Sequence, residues 1–318
     1  GGNQNKGVGI TNEIDFGATG ELDNGYTWKY QVQMDPGATT TAGGGGVDDT
    51  RLELTTGYGT LGVYVSEGGL DTDNSASQSV YGRPTDIGLS TGIVDGPGIG
   101  SFNNIQLHTP AGLLPYGISI KGAFAPNAQS GITSGNASGT ANGAGNFLGH
   151  VEQYQIKATP IDGLNIGGDY LRHTNQGNVT TKVTQQEESG SLFATYAYGA
   201  ASIGYSETLV APLILGLTAT ETGISNTGTT GRNTAGARLI ENKKMSIAYN
   251  VNENLSVSYE VEKSNRELIV NATENDIKSE AIQAAYTMGG MTLSVSRGET
   301  ENTSYATGND TSQTLFAM

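Results

Sequence analysis

Apolar and polar residues alternate one by one along much of this chain. Tyr26, Trp28, Tyr30, Val32 and Met34 share one parity, while Lys29, Gln31, Gln33 and Asp35 share the other. Such period-two runs predict strands with one apolar and one wetted face. Leu52 and Leu54 alternate with Arg51, Glu53 and Thr55; after Gly57-Tyr58-Gly59, Leu61, Val63 and Val65 alternate with Gly62, Tyr64 and Ser66. That predicts a hairpin. An earlier strand is predicted over 11–19, with Ile14, Phe16 and Ala18 facing away from Glu13, Asp15 and Gly17. Further strands are predicted over 105–109 and 116–124. Paired strands follow at 150–159 with 164–172, and at 191–198 with 201–208. Met245, Ile247 and Tyr249 are expected opposite Leu255, Val257, Tyr259 and Val261, and Ile282, Ala284 and Tyr286 opposite Leu293 and Val295. Residues 311–318 carry the last strand.

The connections between these strands are alternately short and long, as in an up-and-down antiparallel barrel that crosses a membrane. A soluble sandwich would need crossovers between two sheets. The expectation is therefore an all-β, membrane-spanning up-and-down antiparallel β-barrel, forming one domain over residues 1–318. About fifteen strands can be counted, and single-chain bacterial barrels have an even number. Sixteen are expected, the first lying ahead of Gly1. One long Gly/Ser/Asp/Pro stretch, about 67–104, stands out among the connections. A loop of that length is functional or disordered; here it is expected to fold inward and set the width of a pore.

Composition narrows the reading. The 318 residues hold no Cys and carry a net charge of −15, so disulfide scaffolds and thiolate metal sites are excluded. Few basic clusters leave nothing to grip phosphates, which argues against a nucleic-acid partner. No run of about 20 apolar residues offers a transmembrane helix. A membrane barrel keeps a polar average because only every second strand residue meets lipid.

Three segments resemble the Gram-negative general diffusion porins of alphaproteobacterial type. They are Glu13–Tyr26, Thr56-Gly-Tyr-Gly-Thr-Leu-Gly62 and Asn103-Asn-Ile-Gln-Leu-His-Thr-Pro110. The resemblance implies a homotrimer of sixteen-stranded barrels in the bacterial outer membrane, among its lipids and lipopolysaccharide. Each barrel's third loop narrows a water-filled channel for passive diffusion of small hydrophilic solutes and ions. The family ends in Phe, whereas Phe316 here is followed by Ala317 and Met318, which points to truncation or bears on assembly.

On this reading the chain is not an enzyme. Its mechanism is exclusion by size plus the field of charged side chains in a narrow neck. The loop supplies Glu67, Asp71, Asp73, Asp86 and Asp95, with Arg83 as its one cation. Strand parity adds Lys29, Arg51 and Lys121 to the wall, together with Glu13, Asp15, Asp35, Glu53 and Tyr64. The family places loop acids opposite wall bases across the narrowing. The acidic excess predicts weak to moderate cation selectivity.

No cofactor is expected. Asp71 and Asp73 are a Ca²⁺ candidate, but the EF-hand continuation is missing. His108, His150 and His173 sit on separate elements, away from metal spacing. Three alternatives remain. A substrate-specific channel, as for sugars, would use Tyr64 and Tyr81 for stacking; an outer-membrane hydrolase needs a paired His and nucleophile; an adhesin would act through its loops.

Overall fold

A computed structural model describes residues 14–36, 45–89, 91–126, 149–174, 183–215, 237–268 and 275–318. The strands are β1 (Ile14–Glu21), β2 (Thr27–Pro36), β3 (Gly45–Thr56), β4 (Gly59–Val65), β5 (Asn104–His108) and β6 (Ser119–Ala125). They continue as β7 (His150–Ile161), β8 (Leu164–Thr174), β9 (Val183–Gln185), β10 (Glu188–Tyr198), β11 (Ala201–Ala211) and β12 (Ile214–Leu215). The last are β13 (Ala237–Asn250), β14 (Leu255–Leu268), β15 (Ile277–Met288), β16 (Met291–Glu301) and β17 (Thr311–Ala317). Fifteen of these form one sheet in which each strand pairs antiparallel with its sequence neighbours, β9 and β12 being skipped. That is the up-and-down order that the alternating connections predict.

The hairpin registers follow the alternation. Ile247 faces Tyr259 and Tyr249 faces Val257, while Ala284 faces Val295. Two differences have local causes. The strand expected over 116–124 begins only at Ser119, because Pro115 opens a 3-10 turn with Tyr116 and Gly117 at positive φ. Val183–Gln185 and Ile214–Leu215, both in stretches expected to be loops, pair as a separate two-stranded piece. Among the described residues β1 and β17 are not paired with each other, so the sheet is not closed. The expected strand ahead of Gly1, like residues 11–13 and the Glu13 candidate, lies outside the described residues.

Parity sorts the two faces of the sheet. Outward positions carry Ile166, Ile203, Met245, Ile247, Ile282 and Leu293, all exposed. Inward positions of β10, β11, β13, β14 and β15 carry Ser191, Ser206, Ser246, Ser258 and Gln283, all buried. A globular domain with a hydrophobic core has the opposite order. Apolar outside and polar inside suits a sheet wetted within and surrounded by hydrocarbon. Exposed tyrosines bracket the apolar band: Tyr198, Tyr249 and Tyr286 near the short turns, and Tyr154, Tyr170, Tyr205 and Tyr259 towards the long loops. Amphipathic rings prefer such interfaces. The loop-end tyrosines meet carboxylates, with Tyr205 donating to Glu207 at 3.2 Å and Tyr259 to Glu280 at 2.6 Å.

Charged residues occupy the outward face beyond this second girdle. Arg172 pairs with Glu152 at 3.4 Å, Lys243 with Glu241 at 2.8 Å and Arg297 with Glu299 at 2.7 Å. Exposed charge thus begins where the apolar band ends.

The parity is testable by substitution. Ile247→Arg, in the apolar band, is expected to cost about 2–4 kcal/mol of folding free energy in a bilayer. Ala248→Arg, one residue on and facing inward, is expected to cost well under half of that. Urea titration of the protein refolded into phosphatidylcholine vesicles measures both. Equal losses would mean that the two faces are wrongly assigned.

Candidate functional site

The long connection between β4 and β5 does not leave the sheet's concave side. After Val65 it runs along the inner wall from β6 towards β17, then returns at a level nearer the long loops. Apart from one 3-10 turn at Ile99–Ser101, it has no helix or strand among its described residues to satisfy its own backbone. Buried backbone groups must nevertheless find partners. The wall provides them strand by strand.

On the outward leg, Gln155 of β7 donates to the Leu70 carbonyl at 2.7 Å. Asp169 of β8 accepts from the Thr72 backbone N–H and hydroxyl, both at 2.7 Å. Ser206 of β11 donates to the Asp73 carbonyl at 2.9 Å, and Ser246 of β13 accepts from the Gln78 N–H at 2.8 Å. Ser258 of β14 takes the Val80 N–H at 3.0 Å, and Gln283 of β15 takes the Tyr81 N–H at 3.1 Å. On the return, Asn242 donates to the Val94 carbonyl at 2.7 Å, and Gln153 accepts from the Ile99 N–H at 2.8 Å.

Apolar contacts fasten the loop at three places. Leu70, Ile99 and Phe102 pack on Ala123, Ala125, Val151 and Leu171 near its root. Ile87 and Leu89 pack on Ala281 at its far end, and Val94 on Val210, Ala237 and Ile240 during the return. Missing side chains on the wall make room for this. A Cβ at Gly204 would lie 1.8 Å from the Ala76 carbonyl oxygen, and one at Gly298 would lie 2.3 Å from Ile87 Cδ1.

Ionic contacts add a fourth attachment. Arg83 holds Asp86 through two nitrogens at 2.8 and 3.0 Å and reaches Asp95 at 3.3 Å. Lys244 of β13, buried, reaches Asp95 at 3.0 Å and Glu262 of β14 at 3.6 Å. Asn74 accepts from both Arg83 and Lys244. Burial alone would raise the Asp95 carboxyl, but Lys244 and Arg83 override it and hold it below the usual carboxylate range.

No protein-family model and no curated protein matches the sequence. Solved structures do match it in shape. The anion-selective porin from Comamonas acidovorans superposes with a TM-score of 0.64 at 11% identity, covering 96% of this chain and 88% of that one. A refined porin structure gives 0.57 at 14% identity, over 91% and 85% of the two chains. The trimer form of OmpT, an outer membrane protein of Vibrio cholerae, gives 0.54 at 13%, over 96% and 87%. The chain has the porin fold.

Within the porin fold, the candidates taken from the sequence divide into three groups. Arg51 and Glu67 are brought together: Arg51 Nη1 lies 3.0 Å from the Glu67 carboxylate, and Arg51 also donates to Gln31. This joins a wall base to a loop acid, but at the loop's root. Burial raises the Glu67 carboxyl, and Arg51 works against that rise.

A second group is redirected. Arg83, Asp86 and Asp95 meet one another and Lys244 instead of the bases Lys29, Arg51 and Lys121. Tyr64, a stacking candidate, is only 2% exposed and donates to Glu53 at 2.7 Å, so its ring is closed to solutes. Tyr81 remains exposed.

The third group stays apart. Lys29 and Lys121 make no ion pair among the described residues, Asp15 accepts from Gln31 at 3.4 Å, and the Asp35 side chain lies outside the described residues. Asp71 and Asp73 line a cleft with Asn74, Asp95 and Gly98. Among the described residues no group of three or more His, Cys, Asp or Glu is arranged to hold a metal ion. His108 contacts Gln106 at 2.8 Å, His150 contacts Glu152 at 3.2 Å, and His173 is buried.

Sequence reasoning missed Lys244, Glu260, Glu262, Asp169 and Lys157. A signal existed, because outward Met245, Tyr259 and Val261 already put Lys244, Glu260 and Glu262 on the inner face. That these residues meet Arg83 and the loop serines required the fold. Glu260 accepts from Ser77 at 2.6 Å and Ser79 at 2.7 Å.

Lys244→Met is expected to destabilise the protein by about 3–5 kcal/mol, since it leaves buried Glu262 short of a counter-charge. Heat-induced unfolding followed by circular dichroism checks this. A loss under about 1 kcal/mol, the scale of an exposed pair, would mean that the network contributes little to seating the loop.

Proposed function

We propose that this chain forms a water-filled channel in the bacterial outer membrane for passive diffusion of small hydrophilic solutes and ions, without bond chemistry. The observation that carries this is the inward loop, which covers the inner wall from β7 to β16 inside a sheet whose outward face is apolar. Space then remains beside β1–β4, where Lys29, Arg51, Glu53 and Asp15 face inward. A folded-in loop narrows such a lumen, and charged side chains there set ion preference. By analogy with the trimer form of OmpT, the assembly is taken to be a homotrimer. Outer-membrane lipid and lipopolysaccharide are its surroundings.

The pore is proposed to favour cations weakly to moderately. Arg83 and Lys244 are already engaged by Asp86, Asp95 and Glu262, so they add little free positive field. Asp71 and Asp73 line a cleft on the loop together with Asp95, in a chain of net charge −15. A porin of this fold is described as anion-selective, so side chains rather than architecture must decide the sign.

Purified protein in a planar bilayer under a salt gradient tests the reading. Ohmic steps closing in threes, with a reversal potential favouring cations, are expected. An absence of conductance would refute the channel, and an anion-favouring potential would refute the charge assignment.

Asp73 adds a pH dependence. Its carboxyl is pushed up to about 7, first by burial and then by Asp95. Between the ordinary range and about 7 the folded state keeps a proton that an unfolded chain has released. The stability this confers is complete below the ordinary range and is lost as pH rises through about 7. Over the same rise Asp73 becomes anionic, so cation preference should increase from about pH 6 to about pH 8. In Asp73→Asn, reversal potentials should stay flat across that window; an unchanged rise in the variant would remove Asp73 from the account.

A further inference from the structure

Three lysines stand in one row on the outward face, just beyond the apolar band. Lys243 of β13 lies opposite Lys263 of β14, and Lys263 lies opposite Lys278 of β15. Adjacent strands are about 4.8 Å apart, so the row is about 10 Å long. Like charges placed directly opposite one another weaken a sheet.

Nearby carboxylates relieve the two ends of the row. Lys243 reaches Glu241 at 2.8 Å and Glu207 at 3.9 Å; Lys278 reaches Glu280 at 2.9 Å and Glu301 at 3.7 Å. These acids lie beside the row or along its strands, and none is opposite Lys263. Lys263 is exposed and makes no ion pair among the described residues. Lys263 thus stands without an ion pair of its own between two lysines that carboxylates engage.

The surface below the row is apolar. One outward step towards the short turns leads from Lys243 to Met245 and from Lys263 to Val261; the next leads to Ile247 and Tyr259. These strands border a furrow of about 350 Å³ lined by Tyr196, Ile203, Tyr205, Met245, Ile247 and Tyr259, where the small side chain of Ala194 leaves room. On a surface bathed in hydrocarbon, such a furrow accepts an acyl chain. Lys243 and Lys263 stand one outward step beyond Met245 and Val261, at the edge of the furrow, and select what that chain is attached to.

We propose that Lys243, Lys263 and Lys278, with the furrow beneath them, bind a phosphorylated membrane lipid, its phosphate on the lysines and an acyl chain in the furrow. The site rests on the reading of the outward face as lipid-facing, but not on conduction through the lumen. The phosphate supplies a counter-charge at Lys263, and the furrow offers a lipid an apolar contact that a soluble anion does not use.

The test uses the full chain folded in zwitterionic detergent, with phosphatidic acid, phosphatidylcholine and inorganic phosphate as probes and native mass spectrometry as the readout. Phosphatidic acid is expected to be retained about tenfold more tightly than phosphatidylcholine. Lys263→Gln should reduce that preference, and the triple change of Lys243, Lys263 and Lys278 to Gln should erase it. Inorganic phosphate should not compete. Pore conductance of the triple variant should match the parent, which also verifies its folding. Equal retention of both lipids by the parent, or an undiminished preference in the triple variant, overturns the site. Competition by inorganic phosphate at equal concentration overturns the lipid assignment. Retention lost to a chelator but indifferent to the lysine changes would assign binding to a divalent bridge on Glu241 and Glu280, and overturns the lysine site as well. A parent protein that retains phosphatidic acid but passes no current supports the site and refutes only the channel.

Discussion

The loop inside this sheet lacks regular secondary structure over most of its length, yet much of its backbone is removed from water. Each buried N–H and C=O left without a partner would cost about 1–3 kcal/mol, so the loop stays inside only if the wall answers it. The inner wall does so with Gln153, Gln155, Asp169, Ser206, Ser246, Ser258 and Gln283, residues spread over six strands between β7 and β15. Serine and glutamine suit this role because they hydrogen-bond without introducing a charge. The polar inner face therefore wets the lumen and also serves as the template on which the loop is laid.

Charge is divided between the two faces by function. Inside, Arg83 and Lys244 are drawn into a network with Asp86, Asp95 and Glu262, where they hold the loop rather than face a solute. Outside, ion pairs such as Arg297 with Glu299 are exposed and contribute little to stability. Their position beyond the tyrosine girdle instead marks the level at which hydrocarbon gives way to headgroups.

The solved structures that match in shape share between 11% and 14% of residues with this chain. What is shared at that distance is the fold, which in this chain rests on a parity that keeps outward positions apolar and on connections that alternate in length. Either can be met by many residues, so the fold outlasts residue identity. Ion preference depends on individual charges and does not carry across in the same way.

Strand parity gave the outward face, because in a two-faced sheet each residue's side follows from counting by two; the alternating connections gave the up-and-down order, and the length of the 67–104 stretch gave the inward loop. Parity also placed Arg51 and Glu53 on the inner face, and adjacency in the chain brought Glu67 close to Arg51. Which partners the loop residues find was decided only by tertiary structure. Arg83 meets Glu262, and Asp73 meets Ser206, across separations of more than a hundred residues. No local pattern encodes such contacts, since they depend on where an irregular chain lies against a curved wall. The burial of Tyr64 and the row of Lys243, Lys263 and Lys278 have the same origin: each needs the register of neighbouring strands, which pairing sets and a single strand's alternation does not.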